Sequence, residues 1–137
     1  MRPIISFGAA LLLALGAAGC NSDTTTSAST TTTVTDTFSS ALAFRGSATR
    51  SFRMGTAGTV TIALTSFGNG AQRVGLGVGI TATSAPCSLA QSVITAASTT
   101  PQIVTTADAG TYCVQLYDTG TLTDDTSFTL TVQHPAP

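Results

Sequence analysis

The 137-residue chain contains no tryptophan, no lysine and no glutamate, and its one histidine is His134. Charged residues make up only 8% of it, so five arginines and six aspartates carry the whole formal charge of −1. A chain without a basic field has nothing to neutralise a row of phosphates, which excludes nucleic acid as a partner. Lysine and glutamate are also strong helix formers. In their absence threonine, valine and glycine dominate, the composition of strands and turns. Catalysis is constrained in the same way, because an enzyme needs a nucleophile with a base, a carboxylate pair or a metal. His134 is followed by Pro135 close to the last residue, where fraying is expected, and a frayed side chain is not held against a reacting partner. Serine and threonine abound but have no oriented base. The expectation is a non-catalytic protein without a cofactor.

What is present begins with a three-part leader. Arg2 supplies a positive start, residues 4–18 form an almost unbroken apolar run, and Gly16-Ala17-Ala18-Gly19 closes it with small residues; this is the layout of a secretory signal. The run is shorter than the ~20 residues a helix needs to span a bilayer, and no basic cluster follows it. Ala17-Ala18-Gly19-Cys20 resembles the lipobox of bacterial lipoproteins, with alanine where leucine is usual. The resemblance implies removal of residues 1–19, a diacylglycerol on the Cys20 thiol and acylation of its amine, with two or three chains giving durable membrane anchoring. The other reading is an ordinary signal cut near Ala18, which leaves Cys20 as a stray exported thiol.

Residues 20–36 are nearly all Thr, Ser and Asp, with Val34 the one sizeable apolar side chain. Such a segment buries too little to offset its ordering entropy and is expected to be a disordered tether. Residues 37–134 are expected to form one domain, and 135–137 a tail. Apolar residues alternate with small or polar ones over 59–65, 73–81, 111–117 and 127–133, and more weakly over 36–44, 48–54, 91–96 and 102–106. These period-two segments predict about eight strands, each with one buried face, and no segment keeps a helical period. An all-β sandwich of two antiparallel sheets follows.

Gly75, Gly77 and Gly79 occupy every outward position of the 73–81 segment, although glycine weakens a strand. They make either a bare groove floor for a ligand or a surface on which a loop or neighbouring strand packs flat. With Cys20 lipidated, Cys87 and Cys113 are an even pair in an oxidising envelope, and a disulfide is the default. Cys113 alternates away from Val114 and Leu116, so the bridge is expected to pin the loop holding Cys87 to a sheet rather than to join two sheets. A true immunoglobulin domain is excluded because Tyr112 and Cys113 are adjacent, whereas there the tyrosine stands two residues before the cysteine and a tryptophan packs on the bridge.

The segments Phe44-Arg45-Gly46, Ala57-Gly58-Thr59-Val60-Thr61-Ile62, Ala109-Gly110-Thr111-Tyr112-Cys113-Val114 with Tyr117-Asp118, and Ser127-Phe128-Thr129-Leu130-Thr131-Val132 together resemble the bacterial pre-peptidase C-terminal domain. That family implies a jelly-roll-like sandwich with an accessory role and no catalytic residues to carry over; this chain has no peptidase domain for it to serve. Arg45, Arg50, Arg53 and Tyr117 are the candidate ligand contacts, the arginines serving equally to keep a charge-poor domain soluble. Asp118, Asp124 and Asp125 share one loop that can hold calcium, although the spacing fits no EF-hand and the same residues form turns. The function expected is a lipid-anchored component of the bacterial cell envelope, on its periplasmic or outer-surface side, that contacts another protein. The alternative is a carbohydrate-binding module, a role that usually presents more aromatic faces than this chain offers.

Overall fold

A computed structural model describes residues 30–137. The expected leader, Cys20 and the tether up to residue 29 lie outside the described residues. Eight strands follow in order: β1 (Thr33–Leu42), β2 (Ser47–Met54), β3 (Gly58–Phe67), β4 (Val74–Ile80), β5 (Ser88–Thr95), β6 (Ile103–Ala107), β7 (Gly110–Tyr117) and β8 (Thr126–Pro135). All eight predicted segments are strands.

They form two four-stranded antiparallel sheets with orders β1-β8-β3-β6 and β2-β7-β4-β5. The chain changes sheet at every connection except β4 to β5, which is the order of a jelly roll. The connections 43–46, 68–73, 96–102 and 118–125 gather at one end. Thr33, Pro135 and the connections 55–57, 81–87 and 108–109 gather at the other.

Alternation decides what is buried. Ile62 and Leu64 of β3 with Leu130 and Val132 of β8 face Leu76 of β4 and Val114 and Leu116 of β7, each at most 2% exposed. Burying one such side chain contributes about 1.5–3 kcal/mol. The opposite parity of β1, β8 and β3 lays Thr33, Thr35, Thr37, Thr129, Thr131, Thr59 and Thr61 across the outer face of the first sheet. These threonines share one sheet surface, where a β-branched side chain favours the extended backbone.

The sheet takes in more chain at both ends than expected. Thr33–Asp36, assigned above to the tether, pair with Val132–Pro135. The Ala136 N–H donates to the Thr32 carbonyl at 2.8 Å, and the Gly55 N–H to the Ala136 carbonyl at 3.0 Å. The expected tail is therefore docked, and His134 is 1% exposed rather than frayed. The physical reason is pairing between strands a hundred residues apart, to which the composition of the tether gives no clue.

The glycine row is a packing surface. A β-carbon on Gly75 would fall inside the Tyr117 ring, and one on Gly77 would lie 2.7 Å from a Leu89 methyl. Gly79 stands at a β-bulge where β4 pairs with β5, and a β-carbon there would collide with the Ser88 carbonyl. All three glycines are buried, so the groove-floor reading is not what the strand adopts.

Candidate functional site

Cys87 and Cys113 are joined by a disulfide with Cα atoms 5.7 Å apart. Cys113 belongs to β7, whereas Cys87 immediately precedes β5, and β4 lies between those strands. Two strand spacings amount to roughly 9.5 Å, so the chain ahead of β5 must fold back over β4 to reach Cys113. The bridge lies on the outer side of its sheet and pins a loop, as the alternation around Cys113 predicts. On the core side Tyr112 stacks on Phe52 at 5.8 Å, and its hydroxyl donates to the Asp108 carbonyl at 2.9 Å.

The four candidate contact residues do not converge. Arg50 pairs with Val114 and sits on the core side of β2, an edge strand, with its guanidinium donating to the Thr49 carbonyl at 3.2 Å. Arg53 pairs with Thr111 on the outer side of the same strand. Tyr117 lies over Gly75. Only Arg45 stands in a turn, and that turn is the most constrained element of the surface.

In Ala43-Phe44-Arg45-Gly46 the Gly46 N–H donates to the Ala43 carbonyl at 2.9 Å, closing a four-residue turn. Arg45 takes φ 55°, and it is the one described non-glycine residue with positive φ. That region costs an ordinary side chain about 1–2 kcal/mol, so the surroundings must impose it. Two carboxylates do so. The Phe44 N–H donates to Asp125 Oδ1 and the Arg45 N–H to Asp118 Oδ2, both at 2.9 Å. With both amides fixed, the Phe44 ring is 44% exposed and the Arg45 guanidinium lies 4.9 Å above its centroid, within cation–π range.

Asp118 does further work with its other oxygen. Oδ1 accepts from the N–H groups of Gly120, Thr121 and Leu122 at 2.8, 3.0 and 3.2 Å. Desolvation pushes the Asp118 carboxyl up, but the amide donors of Arg45, Leu122, Gly120 and Thr121 outweigh it and hold the group below the usual carboxylate range. Asp124 accepts from the Thr123 hydroxyl at 3.2 Å. The three aspartates offered above as calcium candidates thus face hydrogen-bond donors and serve as turn formers. Among the described residues no group of three or more His, Cys, Asp or Glu is placed to hold a metal ion.

His134 is the functional-looking residue that reading along the chain misplaces. Its ring packs 5.1 Å from that of Phe52, Nδ1 lies 2.7 Å from the Pro135 carbonyl, and Nε2 lies 3.1 Å from Asp36 Oδ2. A carbonyl only accepts, so Nδ1 carries a hydrogen, and the Asp36 contact is a full ion pair when Nε2 carries one as well. Both ring nitrogens are engaged within the fold. The pair ties edge strand β1 to its neighbour β8. No sequence signal near His134 points to Asp36, which lies 98 residues away.

No protein-family model, curated protein or solved structure matches this chain.

Proposed function

We propose that this chain is a lipid-anchored, non-catalytic protein of the bacterial cell envelope whose jelly-roll domain contacts another protein through the Phe44–Arg45 turn. The observation that carries the reading is the turn itself: an exposed aromatic ring capped by a guanidinium, on a strained backbone whose two amides are bonded to Asp125 and Asp118. Aromatic residues and arginine dominate binding energy at protein interfaces, and presenting them already ordered lowers the entropy cost of association. The turn also lies at the end of the sandwich opposite Thr33, where the chain enters. The likeness to the pre-peptidase C-terminal domain supports the same accessory role. A glycan platform gains less support, because Tyr117 rests on Gly75 and Arg50 and Arg53 face opposite ways.

The test is a pull-down from a detergent extract of the source envelope, comparing the full chain with Phe44→Ala and Arg45→Gly. Glycine relieves the positive φ while deleting the guanidinium, so Arg45→Gly separates contact from folding. Each substitution is expected to lower capture of a specific protein at least tenfold, the effect of about 1.4 kcal/mol. Equal capture by all three proteins, or release by soluble sugar, would defeat the reading. Cys20→Ser is expected to free the protein from membranes, and retention there would defeat the anchor.

A further inference from the structure

Four strands, β1, β2, β5 and β6, each end a sheet. An end strand carries a row of unpaired N–H and C=O groups that invites pairing with another chain, and proteins blunt such edges with inward charges, bulges or proline. Three of the four are blunted here. β1 carries Asp36 on its core side, β2 carries Arg50 on its core side and Arg53 outside, and β5 bulges at Ala90, which the Val78–Gln91 and Gly79–Leu89 pairs skip. The fourth, β6, reads Ile103-Val104-Thr105-Thr106-Ala107, with no charge, proline or glycine, and its register with β3 is regular over all five residues. Outside it Val104 is 60% exposed.

Beside this edge, where β5 and β6 part, the two sheets open on a cleft of about 210 Å³. Phe52, Val78, Ile80 and Tyr112 give it apolar walls, with Gln91 and Thr105 among its polar lining and no charged residue around it. Ile80 is 55% exposed at this opening. An engineered apolar cavity of ~150 Å³ accepts a benzene molecule, so this one admits a single large aliphatic or aromatic side chain.

We infer that the β6 edge and the cleft together form a strand-addition site for an extended, uncharged segment of a partner protein. The segment pairs alongside β6 through its backbone and seats one large apolar side chain between the sheets. Backbone pairing supplies affinity in this mode and the pocket supplies choice. A second copy of the chain does not fit the role. In a β6-to-β6 pairing each strand's core-side residues, Ile103 at 1% exposure first among them, already fill their own sandwich, and the cleft gains no occupant. The site lies on the β5/β6 side of the domain and shares no residue with the Phe44–Arg45 turn, so either can fail without the other.

The experiment presents the full chain, in detergent micelles, with a phage-displayed library of nine-residue segments randomised at alternate positions. Enriched sequences are expected to converge on Leu, Ile, Phe or Met at one central position. The synthetic form of the best sequence is expected to slow amide exchange within 103–107 at least tenfold. Methylating its backbone amides on alternate residues is expected to weaken binding at least tenfold. Ile80→Asp, at the exposed mouth of the cleft, is expected to do the same while leaving the melting temperature within about 2 °C. No enrichment, an enriched peptide that leaves 103–107 exchanging as before, or undiminished binding to Ile80→Asp would each overturn the inference. A concentration-dependent dimer abolished by Val104→Lys would assign the edge to a second copy and overturn it equally.

Discussion

Replacing Cys87 with alanine tests how this domain reaches its stability. The disulfide closes a sequence separation of 26 residues, and the chain-entropy relation gives about 3.5 kcal/mol for a loop of that size at 25 °C. Little else changes, because Cys113 is 0% exposed and its freed thiol behaves there as a small apolar group. About a hundred ordered residues unfold with an entropy near 0.2 kcal/mol/K, so the melting temperature is expected to fall by about 15 °C. Calorimetry on the variant, and on the wild type under reducing conditions, should agree. Urea unfolding should show a larger m-value, since an unlinked chain exposes more surface when it unfolds. The rival account is that the bridge merely clasps the 81–87 loop in the folded state. A fall of less than about 4 °C, with faster amide exchange confined to that loop, would refute the unfolded-state argument.

Gly75→Ala should cost about 1–3 kcal/mol by overpacking against Tyr117, and Tyr117→Ala in the same chain should recover part of it; additive losses in a double-mutant cycle would show that the ring does not cover the glycine. For Asp118, a folded-state carboxyl held below its usual range adds stability at pH values above the unfolded-state value of about 3.9, and this is lost as the pH falls further. Stability measured from pH 7 down to pH 2 should therefore be lower for Asp118→Asn at neutral pH, with the gap to wild type closing below about pH 4. A constant gap across that range would remove the carboxylate from the explanation.

Much of the fold was legible because a two-residue period is a local signal. Val60, Ile62 and Leu64, or Phe128, Leu130 and Val132, declare a strand and its buried face without reference to any partner. Gly75, Gly77 and Gly79 likewise signalled close packing, though only the register with β7 identified Tyr117 as what packs. Thr33–Asp36 were illegible for the opposite reason. A threonine tract reads as a tether until its complement, Val132–Pro135, is known, and nothing local supplies that pairing. The candidate site divides along the same line. Arg45 was identifiable as a charge between two strand segments, whereas its positive φ is imposed by two carboxylates of one loop, 73 and 81 residues away. Asp118 looked like a metal ligand because composition shows the acceptors and hides the amide donors. His134 was misjudged because its neighbours Asp36 and Phe52 come from distant strands.

The position of β8 has a consequence for how such a molecule comes into being. Strand β8 lies inside its sheet, between the first strand and the third, so the β1-β8-β3 surface cannot close until Thr126–Pro135 are available. On a ribosome or in a translocation pore β1 must wait without its partner, whereas β2, β4, β5 and β7 can already pair as the second sheet. The first sheet is then completed late, when β8 enters between β1 and β3. Nascent chains arrested before residue 126 should accordingly remain protease-sensitive in β1.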